Sequence, residues 1–94
     1  MDNNDEQSNK EYTILLVEDN QELLLLMSSL LSTHYNVLTA INGEKAQKII
    51  QKSSLDVVVT DVMMPVMDGI ELTKWIKESE NYSQLPVVML TAKT

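Results

Sequence analysis

Three acidic side chains stand where short apolar runs end. Ile14-Leu15-Leu16-Val17 runs into Glu18-Asp19-Asn20, and Val57-Val58-Val59-Thr60 runs into Asp61. Runs of this length suit buried strands and are too short for helices. In a parallel sheet with these two strands side by side, the three carboxylates meet at the carboxyl edge, where doubly wound folds bind ligands. Anions brought together in this way suppress one another's ionisation unless a cation offsets them. A hard, oxygen-seeking ion such as Mg2+ fits the residue inventory, because the chain has no cysteine and only one histidine, His34. Thr91 closes a further run, Pro86-Val87-Val88-Met89-Leu90, at the same edge, where its hydroxyl is placed to donate to a phosphoryl oxygen.

The elements that must position these groups alternate. Between the apolar runs, and a more mixed run Tyr35–Ala40, lie three helical stretches. The first, about Gln21 to Thr33, follows a capping Asn20 and carries Leu23, Met27, Leu30 and Leu31 at helical spacing, with Leu24, Leu25 and Leu26 widening the apolar stripe. The second, Gly43 to Lys52, follows an Asn42-Gly43 turn and turns Ala46, Ile49 and Ile50 inward. The third starts at Asp68-Gly69, where Asp68 and Glu71 have capping-box spacing, and buries Ile70, Leu72, Trp75 and Ile76. Alternating strands and helices predict an α/β fold with a doubly wound parallel sheet in the order 2-1-3-4.

Composition narrows the function. The chain has 94 residues, 14 acidic and 7 basic, for a net charge of -7. This suits one small domain, since domains most often run to about 100–150 residues. Residues 1–11 are almost all polar and read as a tail or linker, leaving 12–94 for the domain. The acidic balance disfavours direct contact with nucleic acid. The longest apolar run, Leu23–Met27, falls far short of the ~20 residues of a membrane span, so no direct membrane contact is expected. The polar start is no signal peptide, and absent cysteine suits a reducing, cytoplasmic setting. Two glycines, Gly43 and Gly69, are too few for a GxGxxG loop and too far apart for a Walker-type loop.

Three segments together, Ile14–Asn20, Val59-Thr60-Asp61-Val62-Met63-Met64-Pro65-Val66-Met67-Asp68-Gly69, and Pro86–Lys93, resemble the receiver domains of two-component response regulators, in particular those of hybrid histidine kinases. The resemblance implies a flavodoxin-like fold and a phosphorelay switch. It assigns Asp61 as the acceptor of a phosphoryl group from a phosphohistidine on a histidine kinase or phosphotransfer domain. It makes Asp19 a direct Mg2+ ligand, Glu18 the neighbouring acid that holds the ion, Met63 a ligand through its backbone carbonyl, and Thr91 the residue that binds the phosphoryl oxygens and reports them. Receivers also carry a fifth strand with a phosphate-binding lysine and two more helices, so residues 12–94 correspond to an incomplete domain. Lys93 follows the fourth strand and is not that lysine. A fourth strand left at a sheet edge then predicts self-association.

Other readings compete for the same residues. A magnesium-dependent phosphatase with an aspartate nucleophile usually places a second aspartate two positions later, and Met63 stands there instead. An interaction module that is never phosphorylated would leave the acidic corner without chemistry. Glu18 and Asp19 would then simply favour a helix start. Asp56 reads as a strand-start residue, Asp68 as a cap, Pro65 as a turn former, Gly69 as a backbone requirement, His34 as a helix end, and Met63, Met64 and Met67 as loop packing.

Overall fold

The structure, a computed structural model, describes residues 10–90. Its elements follow in the order β1 (Thr13–Val17), α1 (Gln21–Leu31), β2 (Asn36–Ala40), α2 (Gly43–Lys52), β3 (Val57–Asp61), α3 (Gly69–Glu78) and β4 (Val87–Leu90). The strands form one parallel sheet in the expected order β2-β1-β3-β4. Val17 pairs with Ala40 on one side and Thr60 on the other, and Asp61 pairs with Leu90. This register ends β1, β2, β3 and β4 on one line and sets Glu18 beside Asp61.

Pleating divides the apolar residues between two faces. Leu15, Val17, Ala40 and Val58 pack with Ala46 and Ile50 of α2 and Leu72 and Ile76 of α3, all of them buried. Full burial of each large aliphatic here contributes roughly 1.5–3 kcal/mol. On the other face Ile14 and Leu16 are buried beneath α1, whose one buried side chain is Leu24. Val88 and Leu90, on the β3–β4 side of that face, are exposed.

The inward stripe of α1 differs from the expected one. Leu24, Met27, Ser28 and Leu31 lie inward or half-buried, while Leu23, Leu25, Leu26 and Leu30 are exposed. Five consecutive apolar residues allow two helical phases, and a serine on the inner stripe conceals the one adopted. In α3, Ile70 is likewise exposed, because Gly69, Leu72 and Ile76 form the inward stripe. The caps at Asn20 and Asp68 are as expected, and Asn42, read from the sequence as part of a turn, is a cap as well. Asn20 and Asn42 accept from the third backbone N–H of their helices, and Asp68 and Glu71 form a reciprocal capping box. Thr91 and Lys93, like residues 1–9 of the polar leader, lie outside the described residues.

Candidate functional site

The register of β1 and β3 brings Glu18, Asp19 and Asp61 together: one carboxylate oxygen from each lies within 4.8 Å of the other two. Glu18 is the inner member, 6% exposed, with its backbone N–H bonded to Ala40 O at 3.1 Å. Its carboxylate accepts from the backbone N–H of Asn20 at 3.0 Å. Asp61 is half-buried and Asp19 faces water. Burial drives the Glu18 carboxyl above its ordinary pKa of 4.5; the Asn20 N–H opposes that rise, and the charges of Asp61 and Asp19 add to it. Two charges 4.8 Å apart repel by on the order of 3 kcal/mol at an effective dielectric of about 20, and by less where one faces water.

The donor set suits a hard divalent ion. Bonds of about 2.1 Å to Mg2+ put octahedral ligand oxygens about 3 Å apart when adjacent and about 4.2 Å apart when opposite. Three carboxylate oxygens within 4.8 Å reach that spacing through small side-chain rotations. The cluster offers oxygen alone, with no imidazole or thiolate in it.

Around the acids the β3–α3 loop is tightly built. Asp68 caps α3, and the Gly69 N–H donates to Val62 O at 2.9 Å. A Cβ on Gly69 would stand 2.3 Å from the carbonyl oxygen of Asp61. Gly69 is therefore required by close approach; its φ is not positive. Among the described residues Val66 is the one with positive φ, 70°, and the Met67 N–H donates across it to Pro65 O at 2.7 Å. This is a γ-turn of the strained hand, centred on a β-branched residue. Nothing in the sequence signals it, since Pro65 suggests an ordinary turn and Val66 disfavours positive φ.

Met64 is buried and Met67 packs against the core, as loop-packing methionines should. Met63 does not: it is 68% exposed and lines the same hollow as Glu18, Asp19 and Asp61. Asn20, Leu23, Met27 and Leu90 complete that hollow, so apolar side chains line it beside the acids. Asp56 lies at the opposite edge, accepting from the Thr13 N–H at 2.8 Å, as a strand-start residue. His34 follows α1, with its backbone N–H on Leu31 O.

Residues 14–94 match the family model of the response regulator receiver domain. A histidine kinase of Formosa agariphila is 43% identical over 82 residues, which are 87% of this chain and 6% of that protein. A hybrid signal transduction histidine kinase of Dictyostelium discoideum is 38% identical over 80 residues, 85% of this chain and 5% of that one. The chain thus spans a small fraction of the length of these curated relatives. Among solved structures, the N-terminal domain of a response regulator receiver protein from Methanoculleus marisnigri superposes with a TM-score of 0.84 at 36% identity, covering 88% of this chain and 68% of that one. No helix of the described residues is long and apolar enough to cross a membrane.

Proposed function

The chain belongs to the response regulator receiver domain family, and we propose that it serves as a magnesium-dependent phosphoryl acceptor with Asp61 as its nucleophile. The observation that carries this reading is the convergence of Glu18, Asp19 and Asp61 within 4.8 Å at the carboxyl edge of the sheet. Glu18, Asp19 and Asp61, with the backbone carbonyl of Met63, hold the ion. When bound there, Mg2+ supplies positive charge against both the carboxylates and an incoming phosphoryl group.

The donor is a phosphohistidine on a histidine kinase or phosphotransfer domain. A carboxylate oxygen of Asp61 attacks the phosphorus, the phosphorus–nitrogen bond breaks, and its electron pair returns to the imidazole, which takes up a proton. The product is an aspartyl phosphate, and water later releases it as inorganic phosphate. Asp61 must be ionised to attack, and its half-buried position at the mouth of the hollow leaves it open to the donor. Thr91 is assigned the phosphoryl oxygens through its place in the motif. Modification of Asp61 adds negative charge at the junction of β3 with the β3–α3 loop, the kind of local change that biases a two-state element. A cytoplasmic setting follows from the donor.

The test is incubation with Mg2+ and acetyl phosphate followed by mass spectrometry. A phosphoryl adduct on the wild type that is lost with EDTA and in Asp61→Asn is expected. A folded wild type without adduct would favour an interaction module that is never phosphorylated.

A further inference from the structure

Two helices of this protein begin on asparagine caps of the same design, and only one of them is wired to the acidic corner. The Asn20 side chain accepts from the Leu23 N–H at 3.0 Å, and its backbone oxygen accepts from the Leu24 N–H at 2.9 Å. The Asn42 side chain accepts from the Lys45 N–H at 2.8 Å, and its backbone oxygen from the Ala46 N–H at 3.0 Å. The difference lies in the remaining group. The backbone N–H of Asn20 donates to the Glu18 carboxylate at 3.0 Å, two residues back.

We propose that Asn20 is a positioning residue for the cation site: by fixing the first turn of α1, its side chain holds its own N–H on Glu18 and so sets that carboxylate toward Asp19 and Asp61. The inference rests on the metal reading above. Glu18 is largely buried, and the donor its carboxylate meets among the described residues is the backbone N–H of Asn20. Orienting bonds of this kind hold a ligand in its binding rotamer, and their loss costs metal affinity because the ligand must be ordered at the moment of binding. The φ of -81° and ψ of 110° at Asn20 are ordinary extended values, so the arrangement needs no strained backbone. It needs a cap that keeps the helix from fraying at its first turn.

The twin cap at Asn42 separates this role from plain stability. Loss of either cap side chain is expected to lower the melting temperature by roughly 4–8 °C, the shift that a typical cap energy produces in a domain of this size. Magnesium affinity of the folded protein, measured by calorimetric titration, is expected to fall about tenfold in Asn20→Ala, to recover in Asn20→Ser, and to stay at the wild-type value in Asn42→Ala. Hydrogen exchange without metal gives a second readout: the amide at residue 20 is expected to exchange faster in Asn20→Ala than in wild type or Asn42→Ala. Equal magnesium affinity in Asn20→Ala and wild type, or equal losses in both alanine variants, would overturn the positioning role. A wild type that binds no magnesium would overturn the metal reading and this inference together, whereas wild-type binding with an unchanged Asn20→Ala would overturn this inference alone.

Discussion

At the amino-terminal edge of the sheet several charged groups each meet a backbone partner of their own. Asp56 accepts from the Thr13 N–H, Lys10 Nζ donates to Ser32 O at the end of α1, and Lys77 Nζ donates to Leu85 O ahead of β4. At the carboxyl-terminal edge, three acids of one sign lie within 4.8 Å, Val66 holds a positive φ, and Met63, Val66 and Ile70 face solvent. The sheet between them is regular. One edge thus pairs charges with backbone groups, and the other crowds like charges and departs from local rules within a few residues. Such breaches gather where a protein keeps a structure for its chemistry at some cost to stability.

Substitutions can break that contrast, and the largest effect is expected at Gly69. Gly69→Ala puts a methyl group against the carbonyl oxygen of Asp61 and forces the backbone apart, so it is expected to cost about 1–3 kcal/mol, as overpacking does. Urea unfolding reads the loss, and the rate of adduct formation with acetyl phosphate should drop with it.

A pair of acids sharpens the contrast between the edges. Asp56→Ala should cost about 0.5–1.5 kcal/mol, the worth of one hydrogen bond, with or without magnesium. Glu18→Gln should do the opposite. The folded state holds the Glu18 proton more tightly than the unfolded chain, because its pKa is raised above 4.5. Without metal, wild-type stability therefore declines as pH rises from 4.5 through the raised value, and Glu18→Gln removes that decline. Unfolding curves at a series of pH values in EDTA read both.

The smallest effect belongs to Val66. Releasing a non-glycine residue from positive φ regains about 1–2 kcal/mol, and glycine gives back about 0.5–1 kcal/mol through its freer unfolded chain, so Val66→Gly should stabilise by about 0.5–1 kcal/mol. A thermal melt that moved downward would show that the turn carries no strain.

The sequence was most informative where one pattern had one physical solution. Ile14–Val17 and Val57–Thr60 have the length and composition of buried strands, and the strand order sets Glu18, Asp19 and Asp61 together. Asn20 and Asp68 marked their helix starts because cap chemistry is local, whereas Asn42 read as a turn and caps α2. Phase was less legible. Five apolar residues from Leu23 to Met27 serve either face of α1, and the choice was made by packing on the sheet. The exposure of Met63 and Ile70 and the γ-turn at Val66 arise from how the β3–α3 loop closes over Gly69, a constraint between residues that no single residue type announces.

If the carboxyl edge is a site whose repulsion a cation relieves, thermal unfolding of wild type and Asp61→Asn with and without Mg2+ will show it. Without the ion, Asp61→Asn should melt higher than wild type, because one of three crowded charges is gone. With Mg2+ at a hundred times its Kd, wild type should gain about 2.7 kcal/mol while Asp61→Asn gains far less, reversing the order. Equal magnesium effects on the two proteins, or none on wild type, would contradict it.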